Sequence, residues 1–314
     1  MTKQLYLVTG GAGFIGSHIV ERLVREGARV RVLDDFSSGK ESNLESFRSE
    51  LELIRGDIRD ERTVAEAMKG VSVVFHEAAL GSVPRSVADP RTTHEVNITG
   101  TLNILLAARD LGVRRVVYAS SSSVYGDTET LPKHEEMRPS PLSPYALSKL
   151  AGEHYIEVFN HVYGFEAVAL RYFNIFGPRQ DPESQYAAVI PKFITALLEG
   201  KPPTIFGDGE QSRDFTYVDN VVEANLLAAE ADRVSGRAFN VACGGRYSLL
   251  ELLARLKEIL GSTIEPVHEP PRAGDVRDSQ ASIEAAARAL GYRVRVDFDE
   301  GLRRTVEWYK QAER

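Results

Sequence analysis

A chain of 314 residues with 43% hydrophobic and 26% charged residues has a globular composition and enough length for one large domain or about two ordinary ones. Its net charge of -7 and pI near 5.6 weigh against a general nucleic-acid binder, which needs a positive footprint. The single cysteine, Cys243, rules out an intrachain disulfide and a cysteine-based metal site, and no apolar run approaches the roughly 20 residues of a membrane span. Met1 to Gln4 leads straight into a strand-like segment without a signal-peptide core, so a cytoplasmic protein is expected.

Leu5 to Val8 is a short apolar run that suits a strand buried on both faces. It ends in Thr9-Gly10-Gly11-Ala12-Gly13-Phe14-Ile15-Gly16. Ile15, Ile19, Val20, Leu23 and Val24 then recur at helical spacing until Gly27. A second strand, Arg29 to Leu33, closes on Asp34-Asp35. In a strand, glycine turn, helix, strand unit, Gly11-x-Gly13-x-x-Gly16 allows a tight turn and close approach of backbone N–H groups to a pyrophosphate. Gly10, Gly13, Phe14, Ile15 and Gly16 are the predicted cofactor contacts of this turn. Asp34, 18 positions beyond Gly16, stands where a carboxylate accepts from ribose hydroxyls and repels a 2'-phosphate, which favours NAD over NADP.

The pattern repeats with a strand near Leu51 to Ile54, the turn Gly56-Asp57-Ile58-Arg59-Asp60, a helix to Met68 and a strand at Val71 to Phe75. Asp57 and Ile58 would lie near the adenine, although Asp57 equally suits the N-cap of the next helix. Ala78 and Ala79 are small enough for a cofactor to pass over. A long helix follows around Thr93 to Leu111, then strands at Arg115 to Ala119 and Ala167 to Arg171, with a helix from Ser143 to Tyr163 between them. Strands alternating with helices predict an α/β fold, a Rossmann-type doubly wound parallel sheet. Residues 1–172 read as the dinucleotide-binding domain, with 217–241 returning to it. Residues 173–216 and 242–314, richer in Pro and Gly, read as a smaller, discontinuous substrate domain.

The chemistry concentrates between Ser120 and Lys149. Residues four apart share a helix face, so Tyr145 and Lys149 point the same way, and a strand ending near Ala119 sets the serine hydroxyls opposite them. Ser121, Tyr145 and Lys149 are the predicted catalytic residues. A phenol of ordinary pKa near ~10 must fall by roughly three units to act as a base at neutral pH. Lys149 and a positive nicotinamide are expected to supply that shift.

Together the glycine loop, Asp34, the serines and Tyr145-x-x-x-Lys149 resemble the extended short-chain dehydrogenase/reductase family, and within it the nucleotide-sugar 4-epimerases. Ser121-Ser122-Ser123-Val124-Tyr125-Gly126, the run from Arg171 to Arg179, Gly207-Asp208-Gly209 and Arg213-Asp214-Phe215 are further landmarks of the resemblance, which spans nearly the whole chain. It implies NAD as a tightly held cofactor, a UDP-sugar as substrate, and epimerisation at C4 through a 4-keto sugar. In it Ser121 bonds the sugar 4-hydroxyl and Lys149 holds the nicotinamide ribose. Related dehydratases and decarboxylases carry acidic residues just after the catalytic hydroxyl, where this chain has Ser122 and Ser123. Ser122 is either a second sugar contact or a solvated loop serine.

The same resemblance places Arg213, Arg272 and Asn174 at the diphosphate, a role suited to the planar guanidinium fork, and Asp275 on the uridine ribose. Where relatives restricted to glucose and galactose carry a bulky tyrosine, this chain has Ser279, and Gly81-Ser82-Val83-Pro84-Arg85-Ser86 resembles the branch that accepts N-acetylated sugars. Removing a ring from a pocket opens room for an acetamido group. UDP-N-acetylglucosamine is therefore the expected substrate, with UDP-glucose and UDP-glucuronate as alternatives. A uronate would need an anchor from Ser82, Arg85 or Ser86. A non-catalytic NAD sensor is the reading from another class, and it leaves an intact Ser121, Tyr145 and Lys149 unexplained. The resemblance implies that the helices at Thr93 to Leu111 and Ser143 to Tyr163 pack against their copies as a four-helix dimer interface, and a homodimer is expected, although their apolar stripes also suit burial within one chain.

Overall fold

The computed structural model describes residues 4–182, 188–271 and 277–312. Seven strands form one parallel sheet: β1 (Leu5–Thr9), β2 (Arg29–Asp34), β3 (Leu51–Arg55), β4 (Val73–His76), β5 (Arg115–Ser121), β6 (Ala167–Tyr172) and β7 (Ala238–Val241). Their order across the sheet is β7-β6-β5-β4-β1-β2-β3. The winding reverses between β1 and β4, and ligands of doubly wound sheets bind at the strand ends beside such a switch point.

Both faces are covered because the strands are apolar on both sides. Leu5 and Leu7 of β1 belong to one buried cluster with Val64, Met68 and Ile104. Val8 belongs to another with Ile19, Val20 and Val221. The helices supplying these partners are α1 (Phe14–Arg25), α2 (Glu61–Met68), α5 (Gly100–Asp110) and α8 (Val218–Glu230). Between α2 and α5 lie two short helices, α3 (Val83–Ala88) and α4 (Pro90–His94), and a π-helical turn over Glu95–Thr99. The helix expected from Thr93 therefore begins earlier, at Pro90, where Asp89 accepts from the Thr92 N–H at 3.0 Å and so serves as N-cap. It also changes pitch within its length.

The 20-residue helix α6 (Pro144–Tyr163) begins where Ser143 accepts the Ala146 N–H and Pro144 presets the first turn. A left-handed Gly164 ends it. A further apolar cluster gathers α7 (Val189–Leu198), α9 (Leu249–Leu260) and α11 (Phe298–Ala312) around Phe176, Phe215 and Phe298. The remaining helix, α10 (Glu284–Leu290), departs from this grouping: Ala286, Leu290 and Tyr292 pack with the sheet core.

Candidate active site

At the carboxyl edge of the sheet lies a cavity of about 1110 Å³. The glycine turn between β1 and α1 forms one end. Gly10 has φ 67° and a Cβ there would stand 2.7 Å from the Ala78 nitrogen, while a Cβ on Gly16 would drive into the Gly10 carbonyl. The close approach of these strands thus requires bare backbone. Gly13 caps α1 without a side-chain bond and no acidic residue occupies the first turn, which leaves the positive helix end open to an anion. Gly10, Gly13, Phe14, Ile15, Gly16, Asp34, Asp57, Ile58, Ala78 and Ala79 all line this cavity.

Asp34 is buried at the end of β2 and held rigid by two backbone donors, Ala12 N at 2.9 Å and Phe36 N at 2.8 Å. Burial raises its carboxyl above the ordinary value, against those two hydrogen bonds. An open helix N-terminus, a glycine cradle and a fixed carboxylate at the next strand end fit a dinucleotide. The N-cap of α2 is Asp60, which accepts from Arg62 N at 3.0 Å. Asp57 instead turns to its own loop, accepting from the Arg59 N–H at 2.8 Å, so its capping alternative is excluded. Both acids precede the same helix, and composition could not separate them.

Ser82, Ser121, Ser122, Tyr145, Lys149 and Asn174 line the same cavity. The strand bearing Ser121 runs two residues further than its apolar pattern predicts, to Ser121 itself. Buried Ser120 explains the extension, because its hydroxyl is taken by Glu153, one turn beyond Lys149 on α6. Glu153 in turn forms a paired ion bridge with Arg171 of β6, at 2.9 and 2.7 Å. This buried pair fastens the helix carrying Tyr145 and Lys149 to the strands carrying the serines.

Lys149 Nζ donates to the Ala119 carbonyl at 2.7 Å and lies 5.9 Å from the centre of the Tyr145 ring. Burial lowers its ammonium to about 8, while Glu77 acts in the opposite direction. The Tyr145 phenol is raised by burial, with Ser121 pulling it down and Glu77 pushing it up. In the protein by itself desolvation wins and Tyr145 stands protonated, which leaves the expected lowering by Lys149 and a positive nicotinamide together to the cofactor-bound state.

Two lining residues carry signals that the sequence reading passed over. Glu77 follows β4 directly and accepts the Tyr172 hydroxyl at 2.8 Å, and burial pushes its carboxyl up to about 7. An acid between a strand and two alanines was the available signal. Arg179, which also lines the cavity, reaches Glu21 and, at 3.4 Å, Ser17 of α1. The remaining predicted residues divide. Asn174 donates to the Ser279 hydroxyl at 3.3 Å, which puts buried Ser279 behind the wall. Arg213 donates to the carbonyls of Ser212 and Arg277 at 2.8 and 3.0 Å and does not line the cavity. Arg272 and Asp275 fall outside the described residues.

A parallel switch-point sheet with this glycine cradle and a Tyr/Lys pair at its edge defines an NAD-dependent enzyme of the Rossmann class. The chain belongs to the NAD dependent epimerase/dehydratase family, whose model matches residues 6–242. It is 42% identical over 308 residues to a UDP-glucose 4-epimerase of Mycolicibacterium smegmatis, covering 97% of this chain and 98% of that one. Among solved structures, a UDP-N-acetylglucosamine 4-epimerase of Methanobrevibacter ruminantium in complex with UDP-N-acetylmuramic acid superposes with TM-score 0.94 at 42% identity, covering 99% and 100% of the two chains. A UDP-glucose 4-epimerase of Thermus thermophilus in complex with NAD gives 0.91 at 40%, covering 98% and 100%. No helix among the described residues is long and apolar enough to cross a membrane.

Proposed function

We propose that this UDP-sugar 4-epimerase, which uses NAD, interconverts UDP-N-acetylglucosamine and UDP-N-acetylgalactosamine through a 4-keto sugar, with the unacetylated glucose and galactose pair as a second substrate. The observation that carries the sugar assignment is a serine in place of a large ring at position 279, touching Asn174 of the cavity wall. The M. ruminantium relative named for UDP-N-acetylglucosamine supports it, and the M. smegmatis relative named for UDP-glucose supports the second pair.

The glycine turn and the N-terminus of α1 would hold the pyrophosphate of NAD, Asp34 its adenosine ribose, Asp57 and Ile58 its adenine. Ala78 and Ala79 would leave room for it to pass. Bound NAD supplies reversible hydride acceptance at sugar C4, and its positive ring lowers the Tyr145 phenol by the charge that the protein alone lacks. Tyr145 then takes the proton of the 4-hydroxyl, with Ser121 bridging, and returns it to the same oxygen once the turned-over sugar has regained hydride on the opposite face of C4. Lys149 holds the nicotinamide ribose and keeps a cation beside the phenolate. Ser82 and Ser122 contact the sugar; Asn174 and Arg272 hold the diphosphate, Arg213 adds its charge from beyond the cavity lining, and Asp275 holds the uridine ribose. Ser122 and Ser123 offer no acid for eliminating water, which favours epimerisation over dehydration.

A homodimer is part of this reading. Leu147, Val158, Val162 and Tyr163 leave an apolar stripe of α6 exposed, more than a solvated helix face needs. Separation of the products formed from UDP-N-acetylglucosamine and UDP-glucose tests the sugar assignment. Turnover of UDP-glucose with UDP-N-acetylglucosamine untouched would refute the role given to Ser279.

A further inference from the structure

Five acids among the described residues line the cavity: Asp34, Asp35, Asp57, Glu77 and Asp181. Four are committed by their own surroundings. Asp34 is held by the Ala12 and Phe36 N–H groups, Asp35 accepts from Ser37, Asp57 accepts from Arg59, and Asp181 pairs with Lys40. Glu77 differs, because it shares its end of the cavity with Tyr145 and Lys149 and its charge acts on both. Its Oε1 accepts the Tyr172 hydroxyl at 2.8 Å, and that hydroxyl accepts from the buried Asn225 amide at 2.8 Å. The carboxyl is thereby aimed from β6 and α8, while Oε2 has no hydrogen bond to a described residue.

A carboxylate in such a place gives up hydration with no ion pair to a described residue to offset the loss. Burial accordingly pushes Glu77 up to about 7, against the Tyr172 hydroxyl and then Lys149. The groups that face it are Tyr172 of β6, Asn225 of α8, and Tyr145 and Lys149 of α6. His76, its neighbour on β4, is turned instead to Thr9 and Thr101. A cation delivered by a ligand would favour the charged form. Of the groups that the reaction brings into this cavity, the sugar is neutral and the diphosphates are anionic. The oxidised nicotinamide ring is the one that carries positive charge.

We propose that Glu77 is the counter-anion of the oxidised nicotinamide, favouring the cofactor in its oxidised form and making the ring a weaker hydride acceptor than Lys149 alone would leave it. This rests on the reading that sets the ring beside Tyr145 and Lys149, and adds an opposing charge to it. Lys149 favours arrival of a hydride at the ring and Glu77 opposes it, so the two side chains together set how readily the cofactor is reduced.

Sodium cyanoborohydride tests this without any sugar. Its B–H bond breaks, the hydride and its electron pair form a C–H bond on the ring, the ring loses its charge, and the reduced cofactor is followed by its near-ultraviolet absorbance. The rate per bound NAD is measured on the holoenzyme for wild type, Glu77→Gln, Tyr172→Phe and Lys149→Met between about pH 8 and about pH 5.5. At the upper end Glu77→Gln should react at least about tenfold faster than wild type, and Lys149→Met more slowly. The wild-type rate should climb as pH falls and Glu77 takes a proton, with the climb lying below about 7 because the positive ring favours the carboxylate. Glu77→Gln should lack that climb. Tyr172→Phe keeps the acid but removes a donor that favours its charged form, so it should move the climb to higher pH. The wild-type rate and pH profile in Glu77→Gln would overturn the proposal, as would an unmoved climb in Tyr172→Phe. A raised KM for the sugar in Glu77→Gln with an unchanged reduction rate also overturns it, since Glu77 would then face the substrate. If Lys149→Met too leaves the rate unchanged, the ring does not lie at this end of the cavity, and the reading on which the proposal rests falls with it.

Discussion

Lys149 reaches across from α6 to the end of β5, its Nζ 2.7 Å from the carbonyl oxygen of Ala119. That single bond fixes the cation two residues from Ser121 and beside the Tyr145 ring. Lys149→Met keeps most of the stem volume and removes both the charge and the bond. Steady-state epimerisation should fall by about 10²-fold or more, with the loss in kcat. Purified Lys149→Met should also retain less NAD, measured by releasing and quantifying the bound nucleotide.

His76 makes stability depend on pH. Its Nδ1 lies 2.7 Å from the Thr9 hydroxyl and its Nε2 3.0 Å from that of Thr101, which in turn donates to the Asn97 carbonyl. Because the Ala78 N–H donates to the Thr9 oxygen, the chain of bonds is satisfied by a neutral ring protonated at Nε2. Burial, and secondarily Lys149, lower the imidazole to about 3. The folded state therefore refuses a proton that the unfolded chain accepts below about 6.5. Stability from this group is complete above that value and is lost as pH falls toward 3, at about 1.4 kcal/mol per pH unit, or about 2 kcal/mol at pH 5. Denaturant titrations of wild type and His76→Gln between pH 5 and 7 should show the slope reduced in the variant.

Glu153 and Arg171 are a buried ion pair, with side chains 7% and 6% exposed. Removing one partner strands a charge. Arg171→Met should cost about 3–5 kcal/mol in urea unfolding. The double variant Glu153→Met/Arg171→Met should recover part of that loss, because two apolar chains replace a desolvated pair. Equal stability of the single and double variants would show that the charges are not what holds α6 to β6.

Much of the site is written in local signals. The glycine turn, the Ser143-Pro144 start of α6 and the strand end at Asp34 each depend on a few adjacent residues, and the structure places them where those residues require. What the sequence conceals is set by partners far along the chain. The two extra residues of β5 depend on Glu153 binding Ser120, 33 residues away, and the His76 network joins Thr9 to a strand 67 positions later. The π-helical turn at Glu95–Thr99 accompanies a buried Asn97 that donates to Ser148 at 3.0 Å and accepts the Leu80 N–H at 2.8 Å, a demand no helical pattern displays. The direction of the Tyr145 pKa followed from burial, which Tyr145-x-x-x-Lys149 by itself does not report.

Ser279 controls the sugar only if its size matters. Its hydroxyl meets Asn174 behind the cavity wall, so Ser279→Tyr must push past Asn174 toward the substrate. The ratio of kcat/KM for UDP-N-acetylglucosamine over UDP-glucose should drop at least about tenfold, the scale on which a pocket rejects a bulkier group.

The central claim is that Tyr145 moves the proton of the sugar 4-hydroxyl. Tyr145→Phe leaves the half-buried ring in its place on the cavity wall and deletes only the hydroxyl. Epimerisation of UDP-N-acetylglucosamine, followed by the anomeric proton resonances of the two epimers, should be slowed on the order of 10²–10⁴-fold relative to wild type. A Tyr145→Phe variant that reaches the same mixture of epimers at the wild-type rate would contradict it.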